Sequence, residues 1–203
     1  MEKVKKFLDE AMEAFDRGDK AAAKSHIKQM DQDFRLAHDG MCDSIAHFLS
    51  FIAKKMGEEA VEEVLREDTE DYWKNVFMSL KNNPKKLHEF MVKAWRGHNS
   101  EISVEEDDEK YTLIIHTCGS GGLLRKRKKT VPPLYGTTKK PHPWSFNRTG
   151  IPYYCGHCGL FFNVLPKEWG FPILEHHFGR QFDENGNPVD EPCKNIVYKK
   201  LRS

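Results

Sequence analysis

The sequence lacks any apolar run approaching the roughly 20 residues that a membrane-spanning helix requires, so no membrane partner is expected. It opens Met1-Glu2-Lys3-Val4-Lys5-Lys6, without the apolar stretch of a secretory signal, and a cytoplasmic location is the expectation. Cysteine is scarce, five in 203 residues. In a chain without a signal, that number points to metal or redox chemistry more than to a disulfide framework. Heptad persistence and internal repeats are absent, which excludes coiled coils and solenoids. Net charge is nearly absent too: 32 Lys/Arg stand against 31 Asp/Glu, a formal +1. Large apolar groups are not scarce. Aromatics make up 11% of the chain, which excludes a disordered protein. The length suits one domain or a small pair.

The balanced charge hides a division. Residues 1–109 hold 17 Lys/Arg and 25 Asp/Glu, a net −8, and residues 110–203 hold 15 and 6, a net +9. Four of the five cysteines fall in the second part. The two parts are expected to attract and dock, with a helical domain over 1–98 and a strand-rich metal-binding domain over 99–203.

In the first part, Val4, Phe7, Leu8, Ala11, Met12 and Phe15 form one helical stripe. Gly18 ends it, and Asp19 is placed to cap a long second helix over 20–56. Residues 58–66 read as a third helix, and Thr69 reads as the cap of a fourth through Leu80. Pro84 opens a last one, which Gly97 closes. On the second helix Asp39, Asp43 and His47 share a face, beside the pair His38 and Cys42. Such i,i+4 neighbours could hold a metal or relay a proton, or simply form a solvated face.

In the second part, residues 101–104 and 110–116 alternate around an acidic turn and predict a hairpin. Further strands are expected over 151–155, 159–165, 171–177 and 194–200. The fold class is therefore α+β, an N-terminal helical bundle packed on a C-terminal, mainly antiparallel sheet with a cysteine metal site.

Tyr153-Tyr154-Cys155-Gly156-His157-Cys158-Gly159-Leu160-Phe161 carries the best chemical signal. It resembles the zinc knuckle of zinc-ribbon and rubredoxin-like proteins over about ten residues. The resemblance implies two thiolates aimed at one metal by a tight turn, with glycines that let amides approach the sulfurs. The helical-then-cysteine layout as a whole looks like that of small bacterial proteins of unassigned function, which implies no activity. A structural zinc site takes four ligands, and no second Cys-x-x-Cys is present. Cys118, in the glycine-rich His116-Thr117-Cys118-Gly119-Ser120-Gly121-Gly122, and Cys193 are the remaining thiols. They close a four-cysteine site, or else His116, His157 or water takes the fourth place, and the open position suits catalysis. Zinc is the expected ion and iron the alternative.

Other readings compete. Cys-Gly-His-Cys also matches a dithiol redox pair. Unrelated buried cysteines are the bland alternative, with Cys193 the first candidate. Cys118 could act as a nucleophile with His116 as base, and the glycine stretch could cradle an anion or form a hairpin turn. The basic run Arg125–Lys129, followed by Lys139 and Lys140, suggests a phosphate backbone as partner, or a solvated loop beside acidic helices. The loop Pro141–Pro152 offers His142, Trp144 and Arg148 as a pocket wall, to be completed by Trp169–Pro172 and Glu175-His176-His177. Catalytic candidates are His116, His142 and Arg148. The functional expectation is a zinc-dependent hydrolase or lyase acting on a small-molecule substrate. The alternatives are a module with a structural zinc that binds a protein or nucleic acid, and a dithiol redox protein.

Overall fold

The computed structural model describes residues 4–127, 135–171, 173–180 and 191–200. It is α+β, with helices preceding and interrupting a four-stranded antiparallel sheet. The chain forms two compact units, residues 1–41 and 42–203. The 98/99 boundary read from the sequence lies inside the second.

The first unit holds α1 (Phe7–Asp16) and the start of α2 (Lys20–Met56). Gly18 adopts φ 78°, a left-handed conformation that suits glycine at a helix end. The Asp19 carboxylate accepts the Ala22 amide at 2.9 Å, so the expected cap is present. The Glu10 carboxylate meets His26 at 3.3 Å. Leu8, Met12, Phe15, Ile27 and Phe34 are exposed within this unit.

In the second unit, α3 (Glu58–Asp68) runs without a break through a π-helical turn, Thr69–Trp73, into α4 (Lys74–Leu80). Thr69 was expected to cap a new helix. Instead its hydroxyl bonds back to the Leu65 carbonyl at 2.6 Å, and the chain stays helical. α5 (Pro84–Gly97) starts as expected, with proline in the first turn and the Asn83 side chain accepting the Lys86 amide. Its stripe of Leu87, Met91 and Trp95 is buried with Leu113, Ile115 and Val197 of the sheet.

The hairpin forms as β1 (Glu101–Glu106) and β2 (Lys110–Thr117). The sheet order is β1-β2-β4-β3, with β3 at Leu174–His177 and β4 at Cys193–Tyr198. Ile115 of β2 pairs with Cys193 of β4. The exit of β2, and with it Cys118, therefore lies at the entrance of β4.

The strands expected over 151–155 and 159–165 do not form. Tyr153–Gly159 is a helix, α7, followed by a π-helical turn, Leu160–Val164, and a short α8 (Leu165–Glu168). Aromatic and branched residues favour strands, but a continuous apolar run fits a buried helix equally well. Tyr153, Tyr154, Leu160, Phe162 and Leu165 are all buried. Gly156 and Gly159 let Trp144 close against the helix, because a methyl group at Gly159 would strike the Trp144 carbonyl. The glycine-rich stretch after Cys118 is likewise no hairpin turn. It opens another helix, α6 (Gly121–Arg127), whose Leu124 is buried beside Ala46, Tyr135 and Tyr154.

Candidate functional site

Cys118, Cys155, Cys158 and Cys193 all line one cavity of about 110 Å³. Sheet pairing brings in Cys118 and Cys193, and α7 brings in the other two. Residues at i and i+3 share a helical face, so Cys155 and Cys158 point the same way. Gly121 permits the close approach: a methyl group there would stand 2.6 Å from the Cys155 sulfur. All five cysteines are free thiols.

The thiols are surrounded by donors. The Gly179 amide points to the Cys193 sulfur at 3.3 Å, and Arg125 Nη2 lies 3.8 Å from it. Burial raises the Cys118 thiol, while the Gly122 and Ser120 amides lower it. Burial pushes the Cys155 thiol up to about 12, against the pull of Arg125. Cys158 is raised well above its ordinary value by burial and by its neighbouring sulfurs. The free protein therefore holds neutral thiols at Cys155 and Cys158. The described residues bring no group of three His, Cys, Asp or Glu side chains close enough to hold an ion.

Three histidines line the cavity; His98 meets the Ser120 hydroxyl at 3.0 Å, and the other two complete the polar wall. His157 donates from Nδ1 to the Tyr154 carbonyl, which leaves Nε2 as an acceptor 3.5 Å from the Cys158 sulfur. Burial lowers its pKa. His176 donates from Nδ1 to Asn195 Oδ1 at 3.1 Å, and burial pushes it down to about 4. Both rings are thus neutral at pH 7 and offer a lone pair from Nε2.

Arg125 is the formal charge of the cavity, and no described carboxylate lines it. Its head group lies over the Phe178 ring, 4.6 Å from the centroid, and donates to the Gly121 and Gly179 carbonyls. Burial works against its charge, and the sulfurs of Cys155, Cys193 and Cys118 outweigh that effect only where they are thiolates.

The rest of the wall is mostly aromatic. Trp73 comes from the first π-helical turn, Phe161 and Phe162 from the second, and Trp95 from α5. Trp73 and Phe161 stand 6.3 Å apart, between ring centroids. π-helical turns often occur at functional sites, and both of these aim rings at one cavity.

The other candidates lie elsewhere. His116 is exposed on the hairpin, with Nε2 2.8 Å from the Ser103 hydroxyl. His142 meets Glu58 at 2.7 Å and stacks on the fully buried Trp144. Neither lines the cavity. Arg148 lines two neighbouring hollows and is exposed. Asp39, Asp43 and His47 lie along α2 and form no metal-holding group among the described residues. Cys42 turns away from that face to meet the Tyr154 hydroxyl at 3.5 Å. Of the basic run, Arg125 faces the thiols, Lys126 is exposed, and Lys128 and Lys129 lie outside the described residues. Pro172 lies outside them as well. Sequence reasoning missed Arg125 as a site residue because it reads as one cation among five. The available signal was its place beside Leu124 in a run that can form a helix.

No family model matches the chain, and neither a curated protein nor a solved structure is significantly similar to it.

Proposed function

We propose that the protein binds a thiophilic divalent metal, zinc before iron, through Cys118, Cys155, Cys158 and Cys193, and acts on a small molecule by hydrolysis or elimination in the aromatic cavity beside it. The observation that carries this reading is the convergence of four thiols from three separate segments around one arginine, with no described carboxylate in the wall. Soft sulfur and imidazole donors without carboxylates suit zinc. Charge also supports it. Three or four thiolates around a divalent ion leave one or two negative charges, and Arg125 offsets one of them. In the free protein the same arginine faces neutral thiols, a poorly compensated arrangement for a part-buried charge.

Zinc–sulfur bonds of about 2.3 Å require the thiols to draw closer than they stand here. Binding would therefore release thiol protons and tighten the site, and affinity should rise with pH. His157 and His176 could supply the fourth ligand or accept a proton from a bound water. Elemental analysis of purified protein after incubation with zinc tests the reading. About one zinc per chain is expected, with most of it lost in Cys155→Ser. A folded chain that takes up no zinc would refute it.

One observation favours a second reading, a dithiol redox centre: Cys155 and Cys158 share a helical face. The raised Cys155 pKa weighs against it, because redox cysteines react as thiolates. Alkylation that is complete within minutes at pH 6 would revive it.

A further inference from the structure

Beside the thiol cavity lies a more open hollow of about 390 Å³, within the roughly 300–1,000 Å³ range of small-molecule sites. Its wall carries Arg125, Arg148 and Arg180 together with Tyr135, and no described Asp or Glu lines it. Arg180 is paired with Glu191 at 2.8 Å. Arg125 donates to two carbonyls and approaches one sulfur, and Arg148 donates to the Phe178 carbonyl at 3.4 Å. Neither has a carboxylate within 4 Å among the described residues, although the Glu191 carboxylate feels the charge of Arg148. A guanidinium offers more N–H donors than these contacts use.

Tyr135 provides an independent observation. It is 7% exposed, and its hydroxyl has no hydrogen-bond partner among the described residues. Buried hydroxyls are normally bonded, and an exception calls for an explanation. An oxyanion in the hollow would accept from Tyr135 and from the spare donors of both arginines. Ile151, Pro152 and Phe178 give the hollow an apolar side, which suits an organic acid better than bare phosphate. Arg125 and Phe178 also line the thiol cavity.

We propose that this hollow is the subsite for the carboxylate of a small organic acid, whose other end reaches past Phe178 to the cysteines. Naming the substrate class in this way rests on the metal-site reading, whereas binding of the anion does not.

Calorimetric titration of the whole protein, with and without zinc, tests it. The probes are benzoate, inorganic phosphate and a single-stranded oligonucleotide. Benzoate is expected to bind, to weaken about tenfold in Arg148→Gln and several-fold in Tyr135→Phe, and to bind Cys155→Ser as tightly as the parent. Tyr135→Phe removes only an unbonded hydroxyl, so it should melt no lower than the parent, and its binding loss then reports contact with the ligand. No benzoate binding at millimolar concentration would overturn the proposal. So would binding that both variants leave unchanged, phosphate binding as tight as benzoate, or binding of the oligonucleotide alone. Benzoate binding by parent protein that takes up no zinc would support the subsite while the metal reading fails.

Discussion

Glu58 is the residue whose removal should most change the second unit. It opens α3 and is 8% exposed. Its Oε1 accepts the Lys139 amide at 2.6 Å and the Tyr153 hydroxyl at 2.9 Å. Its Oε2 accepts the Lys140 amide at 3.2 Å and meets His142 Nε2 at 2.7 Å. One carboxylate thus ties α3 to the loop before α7 and to the first residue of α7 itself. Burial raises its pKa, and hydrogen bonds from His142, Lys139, Tyr153 and Lys140 outweigh that effect and hold it below the ordinary value. Glu58→Ala leaves these donors without an acceptor. Hydrogen bonds to charged groups contribute about 1.5–3 kcal/mol each, and a buried donor left without its acceptor costs about 1–3 kcal/mol. The bonds are not additive, so the expected loss is about 3–5 kcal/mol. At about 2–4 °C per kcal/mol for a chain of this size, Tm should fall by about 10 °C in thermal melts at pH 7. Glu58→Gln keeps one acceptor oxygen and should lose about half as much. Because the folded pKa is depressed, the stabilisation is present above the unfolded value and fades as pH falls through the folded one. The parent should therefore lose stability on acidification more steeply than Glu58→Gln. A fall of under 2 °C for Glu58→Ala, or equal acid slopes for parent and Glu58→Gln, would refute the reasoning.

Other outcomes follow from the same geometry. Gly121→Ala places a methyl group 2.6 Å from the Cys155 sulfur and should displace that thiol. It should cut zinc uptake at least severalfold, measured by elemental analysis, while lowering Tm by only a few degrees. Native Cys155 and Cys158 should alkylate at pH 7 at least tenfold more slowly than in urea, because burial raises both thiols. Mass spectrometry of iodoacetamide-treated protein checks this, and equal rates would contradict it.

The sequence made some of this legible and hid the rest, for physical reasons. The helix of Leu87, Met91 and Trp95 and the hairpin of residues 101–117 follow from local periodicity, and both formed where the pattern placed them. The segment Tyr153–Val164 did not. Its aromatic residues satisfy strand propensity, and the deciding contact is nonlocal, the Trp144 backbone against Gly159. The four cysteines could be picked out by residue type, yet their convergence depends on strand pairing that spacing alone does not fix. His116 looked like a partner for Cys118 because only Thr117 separates them, but the strand ends at Thr117 and leaves His116 on the hairpin surface. His142 stood out because it lies among aromatics in the loop before the cysteine pair, and there it contacts Glu58.

The two π-helical turns have a consequence for how the chain tolerates changes in length. An α-helix advances about 100° per residue, and a π-helical turn takes up one extra residue by widening locally, so the helix beyond it keeps its facing. Deleting a single solvent-facing residue such as Glu70 removes no buried group. It would nonetheless close the wide turn that presents Trp73 to the cavity. The aromatic wall of the cavity is therefore encoded in residue count as well as residue identity, and substitutions at Glu70 or Asp71 should be silent where a one-residue deletion is not.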